Sequence, residues 1–280
     1  MLILNPMKLT YWSQKPLRSL KPILPELVGL VIFLVLWQLG AMRYGTVVLP
    51  SPLETGAAIG RLATTGKLGS AILTTSSHLF AAFTLAVLLG IVLGIIAGTQ
   101  SWFQKAISPI ISVLQGIPPI AWIVLALLWF GSGSGTTIFT ITVATLPIMF
   151  LGAVEGIRTF PTPLLEMARL FRTPQRLLLS DLYFPHLLSY LFPSLVAGLG
   201  LAWRVTVMAE LLSSETGIGA ELNLARINLD TDEVMAWIAI VVISIWISEY
   251  LLLRPLRRRL EPWRPVQTPT NINKHTPSVL

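Results

Sequence analysis

Ionisable side chains crowd one short tract of an otherwise apolar chain. Residues 166–188 read EMARLFRTPQRLLLSDLYFPHLL and bring Glu166, Arg169, Arg172 and Arg176 close together. Carboxylates and guanidinium groups in such a run suit charge-assisted hydrogen bonds to a partner surface. A second place is Arg204 and Glu210, which lie six residues apart inside an apolar run. Residues at that spacing do not share a helical face well. Charges inside a bilayer are expensive and usually face protein or a cavity. Arg204 therefore either pairs structurally, for instance with Glu249, or could attract an anionic solute. Glu210 is close enough to the end of its run to reach the interface. His78 and His186 are too isolated to form a metal site, which needs several converging ligands, so no metal is expected. The chain has no cysteine, which excludes thiolate ligands and a disulfide framework. It carries neither a G-x-x-x-x-G-K-[ST] nucleotide loop nor an H-E-x-x-H pair. No catalytic residue is assigned.

The elements that must carry these residues are membrane spans. Of 280 residues, 54% are hydrophobic and 12% charged, with a mean hydropathy of +0.73. A soluble domain carries about 25% charged residues. Several apolar runs approach the roughly 20 residues needed to cross a hydrocarbon core. The expected fold class is an all-α integral membrane protein with about six transmembrane helices. The spans run near Leu24–Met42, Ala71–Gly98, Ile107–Phe130, Thr136–Gly156, Leu187–Leu212 and Val234–Leu253. The first is read as a retained helix, not a signal peptide. Residues 1–22 form a basic N-terminal segment, 23–260 the transmembrane domain and 261–280 a flexible tail.

Local features refine this plan. Leu53–Leu68 suits a short interfacial helix. Gly90, Gly94 and Gly98 recur every fourth residue, which predicts close helix packing within the chain. Pro118 and Pro119 break the third span. Freed backbone groups in a membrane are tolerated only where protein or a water-filled cavity satisfies them, so the break belongs inside the bundle. It either lines a pathway or kinks a helix. Met149, Met167, Met208 and Met235 read as packing residues. Trp37, Trp102 and Trp129 read as interfacial anchors.

Charge sets the orientation. The net charge is +7, but the basic residues sit in flanks and loops, where they anchor a membrane protein, and no nucleic-acid partner is implied. Lys8, Lys15, Arg18 and Lys21 precede the first span, Lys105 follows the second, and Arg158, Arg169, Arg172 and Arg176 follow the fourth. Arg254, Arg257, Arg258 and Arg259 follow the sixth. The opposite side holds few cations, and its last loop is acidic. Basic loops stay in the cytoplasm, so both termini and residues 157–185 are expected there, with membrane lipids around the spans.

Residues 157–185 are too long for a simple turn. Pro161 and Pro163 precede a helical pattern, and Pro174 suits the start of another helix. Two short helices joined near Arg172–Pro174 are expected. Taken alone, the tract also suits an amphipathic loop lying on anionic headgroups.

Here the chain resembles the binding-protein-dependent ABC transporter permeases. Their EAA loop reads Glu-Ala-Ala, then Gly, then Ile-x-Leu-Pro at fixed spacing. Glu166, Met167 and Ala168 match its opening, and Leu182, Phe184 and Pro185 its end, without gaps. The family glycine falls on Arg172. Glycine permits a positive φ at a tight turn and arginine does so poorly. The turn here therefore either has another geometry or meets an adapted partner. VLPSPLETGAAIG (Val47–Gly60), QGIPPIAW (Gln115–Trp122), GLAWRVTVMAELL (Gly200–Leu212) and TGIG (Thr216–Gly219) resemble the aliphatic sulfonate, taurine and nitrate branch.

The resemblance implies the permease subunit of an importer in a bacterial plasma or inner membrane. It would pass a small anionic solute inward from an extracytoplasmic solute-binding protein. It also implies a second copy of the chain and a P-loop ABC ATPase dimer at the cytoplasmic face. ATP and magnesium would be bound by that ATPase and no cofactor by this chain. Glu166, Met167, Ala168, Arg169, Arg172, Arg176 and Pro185 would form the coupling surface. Pro118, Pro119, Arg204 and Glu210 are the polar or irregular positions within the spans. An ion-coupled secondary transporter is the alternative, although no internal repeat supports it.

Overall fold

The computed structural model describes residues 24–45 and 47–250. The N-terminal basic flank, the cations from Arg254 onward, the end of the sixth span and the tail lie outside the described residues. Two compact units are present, divided after Ala57.

In the first unit, α1 (Leu24–Tyr44) is a long apolar helix. Near its end Gly40 faces Leu49, where a Cβ would come within 2.9 Å of Leu49 Cδ2. Trp37 donates its indole N–H to the Pro50 carbonyl at 2.8 Å. Trp37 is thus held by the following turn as well as being amphipathic. Helix α2 (Pro52–Thr64) starts there. Ser51 and Glu54 close a reciprocal capping box: the Glu54 N–H donates to Ser51 Oγ at 3.2 Å, and the Ser51 N–H donates to Glu54 Oε2 at 2.8 Å. Proline at the first helical position costs nothing, because its missing donor would be unpaired anyway.

The second unit is built on α3 (Lys67–Thr99), α6 (Ser134–Arg158) and α9 (Phe184–Ser213). The expected close packing holds. A Cβ on Gly90 would lie 2.5 Å from Met149 Cβ, and one on Gly94 would lie 2.5 Å from Ala153 Cβ. One on Gly98 would lie 2.6 Å from Ile157 Cβ. The three glycines let α3 lie directly against α6. Buried threonines line α6, and Thr140, Thr142 and Thr145 donate back to the carbonyls of Thr136, Ile138 and Ile141. Such back-bonding satisfies a hydroxyl where no water reaches.

The third span is two helices, α4 (Ser101–Gly116) and α5 (Pro119–Phe130), bent by 98°. Ile111 of α4 clusters with Phe150 and Val154. On α5, the Ala126 carbonyl accepts from Thr136 at 3.2 Å, and Trp129 packs on Phe139. Both pieces therefore pack on α6, α4 against its later turns and α5 against its first. Five helices are long and apolar enough to cross a membrane, and six crossings result when the bent pair counts as one.

The remaining elements are α7 (Thr162–Leu170), α8 (Gln175–Leu177), α10 (Ile218–Ile227) and α11 (Thr231–Ser248). Asp230 caps α11 by accepting from the Glu233 N–H. Trp237 and Ile240 of α11, Ile218 of α10 and Ala58 and Leu62 of α2 share one buried cluster. The fold is all-α and multi-pass.

Candidate functional site: an exposed turn and a buried carboxylate

Pro161 caps α7 and Pro163 sits in its first turn. Fixed φ angles there favour helix initiation. The helix stops on a doubly bonded left-handed turn. The Arg172 N–H donates to the Arg169 carbonyl at 3.0 Å, and the Thr173 N–H donates to the Ala168 carbonyl at 3.0 Å. Arg172 has φ of 49°. This is the Schellman arrangement, which glycine usually occupies. Arginine here adopts the left-handed conformation that glycine takes easily.

The turn displays an unusual surface. Leu170 is 83% exposed and Phe171 79%. Glu166, Met167, Arg169, Arg172 and Arg176 are exposed as well, and Ala168 is half-buried. Neither α7 nor α8 has a buried residue. Among the described residues, none of these charged groups makes an ion pair. Met167 and Met208 are exposed, so the packing role holds for Met149, which is buried, and not for these two.

The second coupling helix differs from expectation. Pro174 caps α8, but α8 has only three residues. It runs through a wide π turn, Leu178–Tyr183, into α9, and the Phe184 N–H donates to the Leu179 carbonyl five residues back. Pro185 lies in the first turn of α9. A proline lacks a donor and crowds the carbonyl four residues back, and a wider turn accommodates both. Residues 175–183 are thus continuous with α9.

An aromatic clamp joins the entry and exit of the tract. Phe160 stacks on Tyr183 at 4.2 Å, and His186 meets Phe160 edge-on at 5.2 Å and Tyr190 at 5.2 Å. Sequence spacing alone gave no sign of this, because Phe160 lies more than twenty residues from both Tyr183 and His186.

At the other end of α9 the interfacial assignment of Glu210 is corrected. Its side chain is fully buried. Thr75 Oγ1 donates to Glu210 Oε2 at 2.7 Å, and the Gly219 N–H donates to the same oxygen at 3.1 Å. His78 Nδ1 lies 2.9 Å from Oε1, and His78 Nε2 lies 2.9 Å from Ser134 Oγ. Thr75 Oγ1 also accepts from the Ile218 N–H at 2.8 Å. A carboxylate is thus seated at the N-terminus of α10, where free N–H groups and the helix dipole favour negative charge. The glycines of TGIG make room for it. Gly217 has φ of +106°, and a Cβ there would lie 2.5 Å from Glu210 Cδ. A Cβ on Gly219 would lie 2.6 Å from Glu210 Cβ. His78 is therefore a buried partner of Glu210. The signal that could have found it was a histidine in an otherwise uncharged span.

Arg204 and Glu210 are not brought together. Arg204 is exposed, and among the described residues it makes no ion pair, with Glu249 or any other acid. The Pro118–Pro119 break is not buried within this chain either. Gln115, Gly116 and Pro118 are exposed beside it. The Ala121 N–H donates to the Pro118 carbonyl at 3.0 Å. Among the described residues, no group of three or more His, Asp or Glu side chains could hold a metal ion.

Comparison with known proteins identifies the family. Residues 90–263 match the family model described as a binding-protein-dependent transport system inner membrane component. The riboflavin transport system permease protein RibX of Chloroflexus aurantiacus is 31% identical over 242 residues, covering 85% of this chain and 90% of that protein. The taurine transport system permease protein TauC of Escherichia coli is 30% identical over 241 residues, covering 83% and 86%. The nitrate import permease protein NrtB of Synechococcus elongatus is 29% identical over 218 residues, covering 74% and 77%. The fold resembles a chain of the MetNI methionine ABC transporter in inward-facing conformations, with a TM-score of 0.56 and 15% identity over 66% of this chain and 92% of that one. An all-α, multi-pass chain with this match over most of its length belongs to the binding-protein-dependent inner-membrane transport components, and is a permease subunit of an ABC-type importer handling a small solute.

Proposed function

We propose that the turn between α7 and α8 is the docking point of a separate ATPase, and that the chain passes a small anionic solute inward through a pair of identical subunits. The observation that carries this reading is the exposed tip. Leu170 and Phe171 stand out beside Arg169, Arg172 and Arg176, on a short element with no buried residue. Large apolar side chains ringed by cations suit a protein groove, where a few anchors supply most of the binding energy. Glu166 and the arginines supply charge-assisted contacts there, and Ala168 and Pro185 set the backbone path. ATP and magnesium belong to that partner. Because α8 continues through the π turn into α9, a push on the tip would be delivered along the fifth span.

The rest of the reading follows from charge and kinship. The cation bias supports both termini and the coupling turn in the cytoplasm of a bacterial cell, and α10 on the outer face. An extracytoplasmic solute-binding protein would deliver cargo there. Residues 23–260 make up the permease domain. Relatives named for nitrate, taurine, bicarbonate and aliphatic sulfonates support an anionic solute, with riboflavin the outlier. The exposed Pro118–Pro119 break suits a pathway wall or the seam with the second copy.

Affinity purification of the tagged chain in mild detergent tests this reading. A stoichiometric P-loop ATPase is expected to co-elute, and to be lost when Phe171→Asp is introduced. Purification of the chain alone, with no ATPase cross-linked to it in intact membranes, would overturn the reading.

A further inference from the structure

The proposed pathway lacks an identified solute contact, and one side chain stands out for that role. Among the described residues, the other Lys and Arg side chains of the candidate spans lie near span ends: Arg43, Lys67, Lys105, Arg158 and Arg176. Arg204 does not. It lies nine residues before the end of α9 at Ser213, which is roughly 13 Å along the helix axis. Long cationic side chains reach the headgroups from near helix ends, and Arg204 is not near one. Its side chain is nevertheless exposed on this chain, without an ion pair among the described residues.

The surroundings narrow the choice. Pro193, Ala197, Arg204, Met208 and Leu212 form one exposed stripe along α9, with Gly200 half-buried between them. Residues three and four apart share a helical face. Gly200, one turn before Arg204, lines a small hollow. Glu249 lines that hollow with Gly200 and Trp203, yet it makes no ion pair with Arg204. Neighbouring positions are fully engaged: Trp203 donates to Ser248 Oγ at 3.1 Å, and Thr206 donates to the Ala202 carbonyl. An unpaired guanidinium facing hydrocarbon is strongly disfavoured. The stripe at Arg204 therefore faces something other than lipid, either a wet pathway or the second copy.

We propose that Arg204 is an anion-binding residue of the solute pathway, its planar guanidinium taking an oxyanion group of the passing solute through parallel N–H···O bonds. This rests on the importer reading above and adds the residue that would favour acidic cargo.

The chain's lack of cysteine makes the test direct. Met208→Cys places a sole thiol one turn from Arg204 on the same stripe. The full complex in membrane vesicles is treated with 2-sulfonatoethyl methanethiosulfonate, which is anionic, and separately with its trimethylammonium counterpart. The thiol is expected to react with both, and the anionic-to-cationic rate ratio to exceed that of a free thiol in solution. Adding Arg204→Gln should lower the anionic-to-cationic rate ratio by on the order of five-fold, as expected for removing one unit charge at this range in a wet site. Arg204→Lys should preserve most of the ratio. A thiol inert to both reagents, or a ratio unchanged by Arg204→Gln, would overturn the proposal. So would a disulfide between two copies of an Arg204→Cys chain, which would put the residue in the subunit seam. ATPase co-elution from the same vesicles separates the two levels. With the ATPase present and the thiol inert, only the role of Arg204 fails. With no ATPase, the importer reading fails and this proposal with it.

Discussion

Glu210 shows what a single residue does in this fold. Its carboxylate is shared by Thr75, His78 and the Gly219 N–H, so it ties α3, α9 and α10 at one point. Truncation would leave several buried donors without an acceptor, each costing about 1–3 kcal/mol. Glu210→Ala is therefore expected to destabilise by about 3–5 kcal/mol, read as a lower thermal midpoint of the purified protein in detergent. Glu210→Gln should fall between the two, since it keeps the size and one acceptor. A Glu210→Ala chain as stable as the parent would show that the cluster contributes nothing. Arg172 makes the complementary case. A non-glycine residue in the left-handed region costs roughly 1–2 kcal/mol. Arg172→Gly should relax the turn by about 1 kcal/mol, slowing amide exchange in α7 roughly five-fold. Unchanged or faster exchange would mean the turn is unstrained. The sequence pointed to Arg172 because a motif has a register. It did not point to the bonding of His78, whose partners are 56 and 132 residues away.

Helices repeat the lesson in another form. The glycine spacing of α3 foretold a tight contact, because a missing side chain every fourth residue can only serve one face. Gly94→Leu should force α3 and α6 apart, as even a Cβ there lies 2.5 Å from Ala153 Cβ. Gly94→Ala should already cost about 1–3 kcal/mol through overpacking. Loss of folded protein on size-exclusion chromatography would check the larger change and a lowered midpoint the smaller one. Other element features were less legible. The prolines announced a break in the third span but not a bend of 98°, since a bend depends on what α4 and α5 pack against. The second coupling helix was expected to be separate, and it merges with α9 through a π turn. Periodicity cannot distinguish a π turn from the helix on either side, and only the hydrogen bonding of Phe184 reveals it.

At the scale of the molecule, apolar runs and basic loops were enough to foresee an all-α multi-pass chain. Hydropathy and charge follow from the bilayer itself, which makes them readable without contacts. What faces the second copy, the ATPase or the pathway could not be read that way, because exposure depends on the folded subunit. The assembly reading predicts two permease chains per complex by native mass spectrometry, and a single chain would contradict it. The central claim is that the tip at Leu170 and Phe171 is where a separate ATPase docks. Site-specific photo-cross-linking in intact membranes tests it most directly. A photoreactive residue in place of Phe171 is compared with one in place of Leu229, which is 84% exposed beside α10. Docking predicts that Phe171 cross-links to a P-loop ATPase and that Leu229 does not. Capture of the ATPase from Leu229, or only lipid adducts from Phe171, would contradict it.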